Sequence, residues 1–280
     1  MMVDKILFKR KKIGIIGVGN MGQTILHGLL ASEAIPVENV FIANRTPGKI
    51  KKIQEKFKVR SFDNNEELID FCDVVIIAVK PQDFSGCIEN IAGAFTDSKI
   101  VISLAAGITA QSIQNLLPAV TQIIRVMPST PAKIGKGVIG YTLNHGAKNL
   151  DTFIESILSP LGYVIQTEEG ELFEALTVSC SSGVGFVFEF MQYWQEWLEE
   201  HGFEENIARK MTVQTFLGAA MLADKDSVNS IEELQNKVVS KKGVTSSGLS
   251  SIREMEIERS LRYSFEKAVL RDRELGKQVN

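Results

Sequence analysis

A glycine-rich turn near the start of the chain constrains its fold more than any other feature. Gly17, Gly19 and Gly22 follow a short apolar run, and an amphipathic helical pattern opens at Met21. The first glycine permits a tight turn after a strand, the second leaves the backbone open to a ligand, and the third lets helix and strand pack closely. Strand, turn and helix in this order predict the first βαβ unit of a Rossmann-type domain that binds a dinucleotide.

The first part of the chain alternates strand-like and helical patterns. Continuous Val- and Ile-rich runs of this length suit a parallel sheet that is covered on both faces. The predicted strands include residues 13–17, 40–43, 73–79, 99–104, 121–127, 138–143 and 162–167. The fold class predicted for residues 1–166 is therefore α/β, with a doubly wound Rossmann-type sheet.

The pattern changes near Glu168, after which the chain reads as helices to its end. Gly202 is a predicted helix stop. A wide apolar stripe of this kind is more often core or subunit interface than a cofactor site, because large apolar faces must be buried. The stripe consists of Phe186, Phe190, Trp194, Trp197 and Leu198. We expect residues 167–280 to form an all-α domain, whose apolar stripe is core or subunit interface; the family resemblance described below implies that this domain also serves substrate binding and dimerisation.

Bulk composition narrows the function classes. The 280 residues carry a net charge of -3, which argues against general binding to nucleic acid or to an anionic membrane. No run of about 18 uncharged apolar residues predicts a membrane span, and Lys5 interrupts the apolar character that a signal peptide needs. Cys72, Cys87 and Cys180 lack metal or disulfide spacing. We expect a cytoplasmic enzyme without a metal.

The predicted second strand ends in Asn44-Arg45-Thr46. An NAD enzyme carries an acidic residue there to bind the ribose 2′-hydroxyl, and this chain has none. Arg45 offers paired donors to a 2′-phosphate, and its neighbours add neutral hydrogen bonds. This pattern favours NADP, with NADPH preferred over NADH. The alternative is that Arg45 is a surface residue at the start of the next helix.

Further segments resemble the pyrroline-5-carboxylate reductase family along almost the whole chain. They are Ala78-Val79-Lys80-Pro81-Gln82, Ser103 to Ile108 with Ala106-Gly107, and Arg125-Val-Met-Pro128-Ser129. All follow predicted strands, and open α/β sheets bind ligands at the carboxyl ends of their strands. The resemblance implies cofactor contacts from Asn20 and Met21 in the glycine turn, from residues 78–81, and from Ala106 and Gly107.

Two helical segments complete the resemblance. Residues 173–188 are similar to the family segment that ends in SGSGPAYVF, and residues 238–249 are similar to its VTSPGGTT loop. The family holds the substrate carboxylate through backbone N–H groups of that loop, which implies roles for Gly243, Val244, Thr245, Ser246 and Ser247. A helix N-terminus suits a carboxylate. Thr245 matches the catalytic threonine that reaches the ring nitrogen, although it could merely cap its helix.

The resemblance implies NADPH-dependent reduction of 1-pyrroline-5-carboxylate to L-proline by a homodimer or a ring of dimers. Departures leave two alternatives open: a reductase of a related cyclic imine, or a non-catalytic NADP-binding paralogue. A β-hydroxyacid dehydrogenase is disfavoured because no lysine occurs between Lys148 and Lys210. The departures from the family pattern are Ser129 for Asn, Cys180, Ser181 and Val184 for Ser, Gly and Pro, and Lys241-Lys242 for Pro-Gly.

Overall fold

A computed structural model of the chain describes residues 10–31 and 35–277. Lys5 lies outside the described residues. The chain forms two compact units. The first comprises residues 1–182 together with 268–280, and the second comprises residues 183–267.

The first unit is built on one eight-stranded sheet with the order β3-β2-β1-β4-β5-β6-β7-β8. Neighbouring strands are parallel except β6 and β7, which are antiparallel. The strands are β1 (Ile13–Ile16), β2 (Val40–Ala43), β3 (Arg60–Ser61), β4 (Val74–Ile77), β5 (Ile100–Ser103), β6 (Gln122–Pro128), β7 (Gly137–Leu143) and β8 (Gly162–Gln166).

Helices cover both faces of this sheet, so two hydrophobic cores form. Side chains alternate across a strand: Ile13 and Ile15 of β1 enter one core, and Ile16 enters the other. Both faces are therefore apolar, which explains the continuous Val and Ile runs. The helices of this part are α1 (Asn20–Ala31), α2 (Pro47–Phe57), α3 (Asn65–Phe71), α4 (Pro81–Glu89), α5 (Ala110–Leu116) and α6 (Asp151–Leu158).

Three loops lie side by side at the carboxyl edge of the sheet. The backbone N–H of Gly17 donates to the carbonyl of Ala43 at 2.9 Å, and that of Ala78 donates to Ile16 at 2.8 Å. The N–H of Leu104 then donates to Ile77 at 3.0 Å. The loops after β1, β4 and β5 consequently share one edge, as the doubly wound fold requires.

After β8 the chain is helical, as the sequence predicted. The helices are α7 (Glu171–Leu176), α8 (Gly183–Glu200), α9 (Glu205–Lys225), α10 (Ile231–Lys237), α11 (Val244–Glu254) and α12 (Ile257–Lys277), with a π-helical stretch at Thr177–Ser182. Gly202 lies just beyond α8 with φ +94°, a left-handed conformation that suits glycine. The predicted fold class, a doubly wound sheet followed by helices, is confirmed.

The change from strands to helices at residue 166 and the division between compact units fall at different places. Phe173 and Leu176 of α7 pack with Met127 of β6 in a small apolar cluster. The hydroxyl of Ser181 also donates to the carbonyl of Pro128 at 3.0 Å. These contacts keep residues 167–182 with the sheet, so the second unit begins at Gly183.

The second unit exposes much of its apolar surface in the single chain. Trp194 is 50% exposed and Trp197 is 58% exposed, both on α8. Among the described residues, the helical run Glu171–Glu200 is long and apolar enough to cross a membrane by length and composition alone. A helix that packs against a partner has the same composition. The expectation that no segment spans a membrane stays a prediction.

Candidate cofactor cleft and substrate loop

The glycine turn has the geometry that its spacing predicts. Gly17 has φ +91°, and a Cβ on it would lie 3.0 Å from the carbonyl oxygen of Ala78. A Cβ on Gly22 would overlap the carbonyl oxygen of Gly17, whereas a Cβ on Gly19 would meet nothing within 4 Å. The backbone at Gly19 is thus open at the N-terminus of α1, where free N–H groups favour an anion.

Asn44 ties the loop after β2 to the glycine turn. Its Oδ1 accepts from the backbone N–H of Val18 at 3.2 Å, and its Nδ2 donates to the carbonyl of Thr46 at 3.3 Å. Thr46 precedes α2 as its N-cap residue, without a side-chain capping bond. Asn44 and Thr46 therefore shape the loop that carries Arg45.

Arg45 is exposed, and its positive charge acts electrostatically on Cys87 of α4. Burial raises the pKa of the Cys87 thiol of α4, nearby Asp83 raises it further, and Arg45 lowers it. The guanidinium therefore stands close enough to α4 to influence a thiol there.

A cleft of about 420 Å³ opens beside the glycine turn and is lined by four basic side chains, of which only Lys80 was predicted from the sequence. Gly19 and Asn20 are among the residues that line it. The basic side chains are Lys49, Lys52 and Lys56 of α2, and Lys80. The first three recur at i, i+3 and i+7, which places them on one face of a helix. That spacing was the available signal.

The other predicted cofactor residues lie in the loops after β4 and β5. Ala78 adjoins Gly17, and a methyl of Val79 is near it as well. Lys80 and Pro81 start α4, with Lys80 as N-cap and Pro81 in the first turn. Ala106 packs against the cluster of Met127, Phe173 and Leu176.

Met21 and Gly107 each make close packing contacts. Met21, in the first turn of α1, packs against the core on that face of the sheet. Gly107, with φ +75°, approaches the end of α12 so closely that a Cβ would overlap the carbonyl oxygen of Asp272.

The predicted substrate loop belongs to the second unit. Gly243 is the N-cap of α11, and its carbonyl accepts from the N–H of Ser247 at 3.1 Å. Val244, Thr245 and Ser246 occupy the first turn, so their N–H groups point out of the helix end. Thr245 and Ser247 are exposed in the single chain, and Ser246 is half-buried. This end offers a hydroxyl and N–H donors to a carboxylate.

The departures from the family pattern have structural consequences. The buried Ser129 accepts from the N–H of Val138 through its hydroxyl oxygen at 2.8 Å, which secures the start of β7. Cys180 and Ser181 lie in the π-helical stretch. Lys242 has φ 60°, a left-handed conformation that glycine adopts more readily.

The residues of the cleft fit a dinucleotide phosphate. The open backbone at Gly19, the N-terminal end of α1 and four lysines all favour the binding of a negatively charged group. No acidic side chain is among the described residues that line the cleft. An adenine dinucleotide carries a pyrophosphate, and NADP adds a 2′-phosphate. The glycine turn would hold the pyrophosphate and the basic side chains would face further phosphate charge.

Two protein families and a relative of nearly the same length are similar to this chain. A family described as "NADP oxidoreductase coenzyme F420-dependent" matches residues 12–107, and "pyrroline-5-carboxylate reductase dimerisation" matches residues 170–275. A pyrroline-5-carboxylate reductase of Methanosarcina acetivorans is 30% identical over 271 residues, which span 96% of this chain and 99% of the relative.

Two solved structures are similar as well. A pyrroline-5-carboxylate reductase from Coxiella burnetii has a TM-score of 0.86 and 30% identity, covering 95% of this chain and 98% of that one. A Plasmodium falciparum pyrroline carboxylate reductase, solved with NADP bound, shares the fold with a TM-score of 0.83 at 23% identity, covering 96% and 99%. The resemblance drawn from the motifs is confirmed over nearly the full length, and the chain belongs to the pyrroline-5-carboxylate reductase family.

Proposed function

We propose that the chain reduces 1-pyrroline-5-carboxylate to L-proline with NADPH, the last step of proline biosynthesis. The observation that carries this proposal is the match of both halves, over 96% of the chain, to a pyrroline-5-carboxylate reductase at 30% identity. The glycine turn and the basic cleft support it independently, because they suit the phosphates of a dinucleotide. This chain itself matches an NADP oxidoreductase family at residues 12–107 and a dimerisation family at residues 170–275.

When bound, NADPH supplies a hydride to the carbon of the C=N bond. The chain contributes alignment and electrostatics, because a protonated imine is a good electrophile and needs no strong acid from the protein. The first-turn N–H groups at Val244 to Ser246 hold the substrate carboxylate. The Thr245 hydroxyl hydrogen-bonds the ring nitrogen, directly or through water, and so orients the C=N bond.

The basic residues support a preference for NADPH over NADH. Arg45 offers paired hydrogen bonds to a 2′-phosphate. The lysines of α2 that line the cleft add positive charge beside the glycine turn. A 2′-hydroxyl gains little from this charge, whereas a dianionic phosphate gains much more.

The apolar face of the second unit supports a homodimer. The exposed tryptophans of α8 lie in the segment that matches the dimerisation family. Contiguous apolar surface of this kind is usually covered by a partner. The free state of all three cysteines is consistent with a reducing compartment such as the cytoplasm.

The test is the loss of NADPH absorbance in the presence of 1-pyrroline-5-carboxylate, with L-proline measured as product. We expect turnover by the unmodified chain and a much lower kcat in Thr245→Ala, because this hydroxyl acts at the reacting nitrogen. Lys225→Ala, a change at the end of α9, is a matched control. NADPH binding without turnover would identify a non-catalytic paralogue, and turnover only of a different cyclic imine would reassign the substrate.

A further inference from the structure

Two carboxylates from outside the sheet hold the loop between β5 and α5. The carboxyl of Asp272, in the last turns of α12, faces the backbone N–H of Gly107, and both residues line one cavity together with Arg125 and Glu169. The N–H of Ala110, at the start of α5, donates to Glu169 Oε1 at 2.9 Å. Because Asp272 and Glu169 lie on separate segments, the loop is fixed at two points.

Arg125 of β6 joins the two carboxylates into one network. Its Nη1 donates to Glu169 Oε1 at 2.7 Å, and its side chain is only 6% exposed. The guanidinium lies 4.5 Å from the centre of the Phe173 ring, and its charge acts on Asp272. A buried cation needs a partner of opposite charge, so Glu169 is fixed in place by Arg125 as well as by the loop.

The end of α12 is itself secured. Arg273 forms a two-point ion pair with Glu174 of α7, with Nε–Oε1 at 2.9 Å and Nη2–Oε2 at 2.6 Å. Gly276 approaches Gly107 so closely that a Cβ on either residue would overlap backbone atoms of the other segment. The β5–α5 loop is therefore packed directly against the end of α12.

We propose that Asp272 and Glu169 are positioning residues that hold the β5–α5 loop in the conformation that the cofactor site requires. This rests on the proposed function and on the expectation, implied by the family resemblance, that Ala106 and Gly107 contact the cofactor. The loop shares the sheet edge with the glycine turn and the Ala78 loop. The bond from Ala110 to the Glu169 carboxylate is charge-assisted, and such bonds are about twice as strong as neutral ones. A loop that is ordered in advance lowers the entropy cost of binding.

The experiment compares NADPH binding, measured by fluorescence titration, in the purified full chain and its variants. We expect Asp272→Ala and Glu169→Ala to weaken NADPH binding about fivefold each, the usual value of one hydrogen bond. The KM for NADPH should rise with little change in kcat. Asp272→Asn should bind almost as the unmodified chain does, because its amide oxygen still accepts from Gly107.

Arg271→Ala is the matched control, because Arg271 pairs with Glu274 on the exposed face of the same helix. It should leave NADPH binding unchanged. Folded Asp272→Ala and Glu169→Ala variants that bind NADPH as tightly as the unmodified chain would overturn the proposal. If the unmodified chain binds no NADPH, the proposed function fails instead.

A measurement on the unmodified chain keeps the proposal testable if the alanine variants do not fold. Amide hydrogen exchange reports whether each N–H is held. We expect the amides of Gly107 and Ala110 to exchange far more slowly than unprotected peptide amides, already in the absence of NADPH. Exchange at unprotected rates would mean that the carboxylates do not hold the loop.

Discussion

At the scale of single residues, the preference for NADPH over NADH has two candidate sources, Arg45 and the lysines of α2. Only one of the four lysines on α2, Lys51, does not line the cleft. Arg45→Ala should remove most of the difference between NADPH and NADH affinity, since a charge-assisted bond contributes roughly 1.5–3 kcal/mol. Lys52→Ala should cost less than about 1 kcal/mol, as expected for an exposed charge without a fixed geometry.

The measurement is the dissociation constant of each cofactor at two salt concentrations. Lys51→Ala is the control and should change neither constant. Loss of affinity in Lys52→Ala should diminish at high salt, because exposed charges are screened. An unchanged ratio of NADPH to NADH affinity in Arg45→Ala would exclude Arg45 as the phosphate ligand.

Asp272 also makes stability depend on pH. Burial raises the pKa of this carboxyl above its ordinary value, and the charge of Glu174 raises it as well. Arg125, the backbone N–H of Gly107 and Arg273 act in the opposite direction without cancelling the rise. A carboxyl whose pKa is higher in the folded state contributes stability while it is protonated, and that contribution is lost as pH rises through the folded-state pKa. Asp272→Asn stays neutral throughout, so it should be the more stable form at neutral pH.

Thermal unfolding at a fixed protein concentration tests this expectation. The difference in Tm between Asp272→Asn and the unmodified chain should shrink as the solution is acidified. A difference that grows on acidification would show that the ionised carboxylate is the stabilising form. Glu274→Gln, on the exposed face of α12, controls for the general effect of removing one negative charge.

The loop that leads into α11 is the element in which this chain departs most from its family. Lys242 holds a left-handed conformation, at a cost of roughly 1–2 kcal/mol. Changing Lys241-Lys242 to Pro-Gly should relieve that strain and order the loop before Gly243. If the lysines are surface charges, KM for the imine should stay the same or fall. If one of them attracts the substrate carboxylate, KM should rise with kcat nearly unchanged.

Steady-state kinetics of the double variant and of Lys242→Gly alone separate these outcomes. The single variant removes one charge and the strain but adds no proline. A rise in KM in both variants would assign the attraction to Lys242. A fall in kcat in both would contradict the two readings together, because neither places a lysine at the reacting bond.

At the scale of secondary-structure elements, some features could be predicted from the sequence and others could not. Seven strands were predictable because their apolar runs are continuous, whereas β3, Arg60–Ser61, is too short to show a pattern. The glycine turn was predictable because each glycine has a steric reason. The approach of the Asp272 carboxyl to Gly107 was not predictable, because 165 residues separate the two and neither has a distinctive local pattern. Lysine spacing on α2 was visible but is common on solvent-exposed helices.

At the scale of the whole molecule, the second unit has little hydrophobic core of its own in the single chain. Few residues between 183 and 267 are buried, among them Leu198 and Ala208, and the aromatic side chains of α8 stand largely in solvent. A unit of this size needs more buried apolar area to offset its conformational entropy. The missing burial is most simply supplied by a second copy, since homo-oligomers with two-fold symmetry are the commonest assemblies.

Light scattering of the unmodified chain should therefore give a mass of at least twice 31.0 kDa at micromolar concentration. Trp197→Glu should shift the mass towards one chain and lower Tm, because it places a charge on a face that is otherwise covered in the assembly. Ile134→Lys, which changes an exposed side chain of the first unit, is the control and should leave the mass unchanged. A stable, active particle of 31.0 kDa would show that the second unit folds and works without a partner.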